Sequence, residues 1–195
     1  MTARRQGASP TTGSQSVVHE GVPLGSTRRA EAAASREAVL VRRATFADLP
    51  TIVDLRIALL RENPDHPVYG QLRADARERA FEIFGAQLRS SHEVMFLAER
   101  GGEVICILRC VDTPNSPLLD PARYCYVSSV YVRPKARRRG VLHTLLRRAY
   151  EWCAERGLSE MRLHNVPGGD ASAAWSAAGF VVMEEVRRKE VIGVR

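Results

Sequence analysis

VSSVYVRPKARRRGVLHTLLRRAYEW, Val127 to Trp152, is the stretch whose reading decides the fold. A run rich in β-branched and aromatic residues stops at Pro134, and the cations Lys135, Arg137, Arg138 and Arg139 follow. Gly140 then opens a segment whose apolar residues recur at helical spacing, so the order predicts strand, basic turn, helix. A helix starting at Gly140 has unpaired N–H groups in its first turn and the positive end of its dipole there, where pyrophosphate groups bind readily. Glycine lets the backbone approach a ligand with no Cβ in the way. Arg137, Arg138 and Arg139 can add charge-assisted bonds to phosphate oxygens. Taken alone, the turn has three readings: a nucleic-acid patch, a solvated turn, or the rim of a phosphate cradle.

Outward from this stretch the chain alternates in period. VLVRRA (39–44) reads as a strand, and Thr45 and Asp48 offer N-caps for a helix from Leu49 to Arg61 with Ile52, Leu55, Leu59 and Leu60 on one face. Pro64 and Pro67 end it. A second helical pattern covers Ala74 to Arg89, with Ala80, Phe81, Phe84 and Leu88 as its stripe. VMFLAE (94–99) and EVICILRCV (103–111) form a hairpin through Gly101 and Gly102, and Tyr124 to Val132 is a third run. Val141 to Glu155 is a helix burying Leu142, Leu145, Leu146, Ala149 and Cys153, with Gly157 as its cap. MRLHN (161–165) is a strand, Ala171 to Ala178 a short helix stopped by Gly179, and FVVMEEVRRKEVIGV two short strands or one bent one. The order gives a single α/β domain over residues 38–195 with a mixed sheet.

Residues 1–37 contain Pro10, Pro23 and four glycines, and their large apolar residues show no period, so they are expected to form a disordered tail. A transit peptide and a start site further downstream are the alternatives for this segment. The whole chain has 195 residues, 45% of them hydrophobic and 26% charged, which suits one well-filled core. No apolar run can span a bilayer, and the start lacks a secretory signal, so a cytoplasmic protein is expected. Cys106, Cys110, Cys125 and Cys153 lie in apolar segments without a C-x-x-C pair and read as reduced core residues; no metal site is expected. Of the net charge of +7, the tail carries a surplus of two and the basic turn four. Cations focused at one turn favour a small polyanion over a nucleic acid.

With a second strand and WSAAGF following the helix, the sequence resembles the GNAT superfamily of N-acetyltransferases. Val130-Tyr131-Val132 matches the end of the family's fourth strand. Arg137-Arg138-Arg139-Gly140-Val141-Leu142 matches its signature Gln/Arg-x-x-Gly-x-Gly/Ala, with Leu142 in the final small-residue place. VLVRRATFADLPTIVDL looks like its first strand and helix, and Gly179-Phe180 like its late Gly-Phe. The resemblance implies a mostly antiparallel mixed sheet flanked by helices, with a V-shaped cleft between the fourth and fifth strands. It implies acetyl-CoA as co-substrate, with pantetheine pairing to the backbone of Val130 and Val132. The pyrophosphate would be cradled by N–H groups from Arg138 through Arg139, Gly140, Val141 and Leu142 to His143, with Thr144 nearby, and an N–H near Val130 would polarise the thioester carbonyl.

The activity so implied is transfer of an acetyl group to a primary amine, small-molecule or peptide, by direct attack in a ternary complex. The alternative is a non-catalytic CoA-binding module. Trp175 stands where many members carry a tyrosine acid; indole cannot donate that proton, and packing against pantetheine or core filling is its reading. Asn165 lies at the end of the fifth strand, ahead of the place where the family often has an asparagine. The fourth strand carries no glutamate base, which leaves His164 or a water relay through Ser129 or Tyr126 to take the amine proton. His66 and His143 are weaker candidates. Segments 62–72 and 112–124 cover the cleft, where Glu62, Asp65, Asp112 and Asp120 can attract a cationic amine or serve as ordinary turn acids. The chain is expected to be a monomer or homodimer.

Overall fold

The computed structural model describes residues 38–191, so the expected tail of residues 1–37 lies outside the described residues. Within them, alternation along the strands decides the layers. In β2 (Glu93–Arg100), Val94, Phe96 and Ala98 point to one face, and Met95 and Leu97 to the other. Both sets are apolar, so both faces of the sheet must be covered. Helices α1 (Leu49–Arg61) and α2 (Ala76–Gln87) cover the Met95 face, where Ile52, Val53, Leu55, Phe84, Ile107 and Tyr131 share one core. Helix α3 (Val141–Glu155) covers the other with Leu145, Leu146, Ala149, Trp152 and Cys153.

The five strands lie in the order β1 (Leu40–Arg43), β2, β3 (Glu103–Pro114), β4 (Arg123–Val132), β5 (Met161–Leu163). The first three pairings are antiparallel, and β4 with β5 is parallel. A parallel neighbour needs a crossover, which α3 provides. The β2–β3 hairpin turns at Gly101 and Gly102. Helix α3 closes with the Leu158 N–H on the Cys153 carbonyl, one residue past Gly157. α4 (Gly169–Ala177) closes likewise, with the Phe180 N–H on the Trp175 carbonyl.

Three sequence expectations are corrected. The buried stripe of α1 is Ile52, Val53, Leu55 and Ile57, while Leu59 and Leu60 are only half-buried near the helix end. Asp48 does not cap α1 forward. Its carboxylate turns back onto the Thr45 N–H at 2.7 Å and takes two bonds from Arg42, which also pairs with Glu99 on β2. Those bonds hold the Asp48 carboxyl down at about 2. Finally, no strand forms from Phe180 to Val191; Val181, Val182, Met183, Val186 and Val191 are exposed. The charge run after Met183 breaks the alternation a half-buried strand needs, and its ions satisfy one another locally through Arg187–Glu185 and Arg188–Glu190.

Two features of β4 shape everything beside it. Its ladder to β5 has only three rungs, ending at Val127 opposite Leu163, so from Ser128 onward that edge has no strand beside it among the described residues. On the other side, Ser128 lies opposite Arg109 and Tyr131 opposite Ile107, so β4 carries one extra residue, a β-bulge. Ser129 sits in it, buried, with φ of 53°. Before the bulge Cys125 and Val127 face α3; after it Val130 and Val132 do, and Tyr131 enters the α1 core.

Candidate active site

The bulge and the start of α3 form one end of the site, built from backbone. Gly140 is the N-cap of α3 at φ 73°, in the left-handed region, and among the described residues no side chain caps the helix. Space in front of it is open, so glycine is required by its backbone angle and not by crowding. Both the N–H and the hydroxyl of Thr144 donate to the Gly140 carbonyl, so the helical ladder begins there. The N–H groups of Val141, Leu142 and His143 precede that first rung and have no helical acceptor. Arg138, at φ 58°, adds a second left-handed residue to the turn.

The side chains of the basic turn go to different places. Arg137 folds back: its Nε donates to the Val132 carbonyl at 2.9 Å, its guanidinium pairs with Glu62, and it lies over the Tyr131 ring at 5.7 Å. It thereby ties the end of β4 to the end of α1. Arg138 reaches Asp170 in the first turn of α4 at 3.0 Å, and both side chains are exposed. Arg139 and His143 are exposed. Leu142 turns inward and packs with Val130, Val132 and Trp175 against the α3 core. Trp175 meets Phe180 edge-on at 5.2 Å. Asn165 holds the β5–α4 loop, donating to the Val166 carbonyl and the Ser172 hydroxyl, both at 2.8 Å.

The other end of the site is built from side chains on the α1 face, at the Ser128 side of the bulge. Parallel pairing of β4 with β5 sets Tyr126 beside Arg162 and so brings His164 next to Tyr126. The Tyr126 hydroxyl lies 3.3 Å from His164 Nδ1, and His164 Nε2 lies 3.6 Å from Glu184. Burial, together with the neighbouring Tyr69 and Tyr124 hydroxyls, raises the Tyr126 phenol above its ordinary value, against the pull of Arg109 and Arg56. Tyr126 is therefore a protonated phenol at neutral pH. Ser128 accepts a bond from Arg109 at 2.9 Å, while Ser129 is held inside the bulge.

The segment over this end is ordered by its own contacts. His66 Nδ1 accepts the N–H groups of Val68 and Tyr69 at 3.2 and 3.1 Å, and its ring stacks on Tyr69 at 4.5 Å. A Cβ on Gly70 would run into the Pro64 carbonyl, so the loop closes only around glycine. Of the four acids expected from the sequence over a cleft, Glu62 is taken up by Arg137. Asp112 is buried in an ion pair with Arg123 and a longer one, 3.4 Å, with Arg156. Asp65 and Asp120 are exposed.

Three residues near Tyr126 escape a reading by motif: Arg56, Arg109 and Glu184. Arg109 does leave a signal, being the one charge within the apolar run Val104 to Val111. Arg56 stands between buried Leu55 and Ile57 and is itself half-buried. Glu184 leaves no signal, because the segment that carries it has no period.

The sequence model of the acetyltransferase (GNAT) family matches residues 57–189. No curated protein matches the chain. Among solved structures it is similar to a GCN5-related N-acetyltransferase from Ralstonia eutropha, with a TM-score of 0.64 and 20% identity over 78% of this chain and 99% of that one. It is also similar to a predicted acetyltransferase with acetyl-CoA from Clostridium acetobutylicum, with a TM-score of 0.64 and 20% identity over 78% of this chain and 96% of that one. A third is AAC(6')-Iy in complex with the bisubstrate analog CoA-S-monomethyl-acetylneamine, with a TM-score of 0.61 and 24% identity over 79% of this chain and 99% of that one. At such identities the likeness speaks for the fold.

Proposed function

The chain belongs to the GNAT acetyltransferase family, and from that premise we propose that it transfers the acetyl group of acetyl-CoA directly to a primary amine within a ternary complex. The observation that carries this is the pairing of two backbone features: the open, uncapped start of α3 at Gly140, and the free edge of β4 beyond Val127. The first suits a pyrophosphate through the N–H groups of Gly140 to His143, with Arg138 and Arg139 at the rim. The second suits the amide groups of pantetheine, which would add to β4 at Val130 and Val132 as a strand does.

Negative charge builds on the thioester oxygen as the amine attacks. A fixed N–H near Val130, left out of the ladder by the bulge, would meet that charge without reorganising. The amine, with an ordinary pKa of about 10, must first lose a proton. Tyr126 can take it while passing its own proton to His164 Nδ1, and Glu184 then faces the charged ring from its Nε2 side. Ser129, strained inside the bulge, is left with the task of shaping β4. The thiolate, with a reference pKa of about 8.5, takes a proton from solvent, so Trp175 is needed only for packing. Four buried free cysteines suit a reducing cytoplasm.

The support from relatives is of two kinds. The Clostridium protein is described with acetyl-CoA, and AAC(6')-Iy with the bisubstrate analog CoA-S-monomethyl-acetylneamine. The test is a thermal melt with acetyl-CoA followed by assay of free thiol release across an amine panel. A rise in melting temperature with thiol release supports the reading. Absence of any rise with saturating acetyl-CoA removes it. A rise with no turnover of any amine points instead to a CoA-binding module, which the lack of a carboxylate base on β4 favours.

A further inference from the structure

Asn63 to Gly70, NPDHPVYG, is a loop held by one residue. Pro64 and Pro67 have no backbone N–H, so the loop has few donors with which to close itself. The three N–H groups after Pro67 all go to His66. Val68 and Tyr69 donate to the ring at Nδ1, at 3.2 and 3.1 Å, and Gly70 donates to the His66 carbonyl at 2.9 Å. The ring also stacks on Tyr69, with centres 4.5 Å apart and planes 22° from parallel. An Nδ1 that accepts two N–H groups carries no proton, so the ring is neutral with its hydrogen at Nε2. Imidazolium has a proton on both nitrogens and accepts nothing. Protonation would therefore break both bonds and set a third donor against the two N–H groups.

We propose that His66 is a proton-operated clasp: the loop of residues 63–70 is closed while the ring is neutral and released as the ring takes up a proton. Order in the loop is present at higher pH and lost as pH falls through the range in which histidine charges. The ring is half-buried, so protons reach it from solvent. The charged groups around the loop do not hold the ring in its protonated form. Glu62, at the start, is taken by Arg137 from the turn before α3, and Arg73, beyond the end, by Asp75. Arg61 and Asp65 are exposed. From the other elements, Arg56 of α1 and Tyr126 of β4 lie within electrostatic reach of Tyr69. Among the described residues no carboxylate forms an ion pair with His66, so no such contact offsets the two lost bonds. Release frees Tyr69, the ring that the loop brings toward Tyr126. Nothing in this inference depends on acetyl transfer.

The experiment follows the full chain by NMR at about pH 7.5 and about pH 5.5, on either side of the histidine range. It reads the ring nitrogens of His66 and the exchange of the Val68 and Tyr69 amides with water, corrected for the intrinsic effect of pH. At the higher pH, Nδ1 should be free of hydrogen and both amides protected roughly tenfold; at the lower pH the protection should be nearly gone. In His66→Asn both amides should stay protected at either pH, since the asparagine carbonyl accepts N–H groups further along the turn and has no proton to gain. In His66→Ala they should be open at both. A proton on Nδ1 at the higher pH overturns the inference, and so does protection that changes less than about twofold between the two. Amides protected in His66→Ala as in the parent chain overturn it, as do amides in His66→Asn that open in acid as the parent's do. No readout involves acetyl-CoA, so failure here and failure of the acetyl-transfer reading are separate results.

Discussion

The two ends of the site are made of different material. At the Gly140 end the groups proposed to meet a ligand are N–H groups, fixed by a helix start and a strand bulge. Side chains there turn away, Leu142 into the core and Arg137 back to Glu62. At the Tyr126 end the groups are side chains drawn from α1, the loop after it, β3, β4, the end of β5 and the final segment. On the proposed reading, a backbone end would recognise what every acyl-CoA shares, and it would tolerate change in the residues that compose it. A side-chain end recognises one acceptor, and it changes with each substitution. The difference predicts that damage at one end leaves the other intact.

The strongest test of that independence is Gly140→Glu. A carboxylate at φ 73° adds left-handed strain of about 1–2 kcal/mol to the fold. It also sets like charge against the pyrophosphate, so acetyl-CoA binding should weaken roughly 10³-fold, read as loss of the melting shift. An undiminished shift would mean the cradle lies elsewhere. Next comes Tyr126→Phe, which removes the relay hydroxyl. Acetyl-CoA should still raise the melting temperature, while kcat/KM for the amine falls by about 10²-fold. A fall of less than about threefold would hand the proton to water.

Asp48 tests the scaffold that both ends share. Its carboxyl is held at about 2, below the ordinary 3.8, first by Arg42. The stabilisation is therefore present above about pH 4 and lost as pH falls through 2. It amounts to about 2 kcal/mol for this nearly buried group. Asp48→Asn should lower stability by about that much at pH 7 in urea melts, and most of that difference should be gone at pH 2. Equal destabilisation at both pH values would assign the effect to packing. The smallest effect belongs to Gly70→Ala, whose Cβ displaces the Pro64 carbonyl and with it Tyr69. KM for the amine should rise about tenfold with KM for acetyl-CoA unchanged.

The backbone end was legible in the sequence because its signals are local. Pro134, Gly140 and the stripe Leu145, Leu146, Ala149, Cys153 sit within twenty residues and specify strand end, turn and helix by their own propensities. The bounds Leu49–Arg61 and Val141–Glu155 follow from the same kind of signal. The side-chain end was only half legible. Tyr126 and His164 could be named from the strands that carry them, but the contact between them depends on the register of the parallel pair. Arg56 leaves no signal on its helix, since periodicity cannot tell that it shares the field of Arg109 and Tyr126. The strands expected after Phe180 failed for a related reason: valines supply propensity, but a strand also needs an edge and an alternation that continues.

The bulge at Ser129 gives β4 two reading frames. Upstream, odd-numbered residues feed the α3 core; downstream, even-numbered residues do, and Tyr131 belongs to the opposite layer. Deleting Ser129 would leave Val127, Val130 and Val132 toward Leu145 and Tyr131 toward α1, because removing the surplus residue restores plain alternation. What the deletion would erase is the break in the β3–β4 ladder, so the single surplus residue serves the backbone of β4 and not the sorting of the two cores.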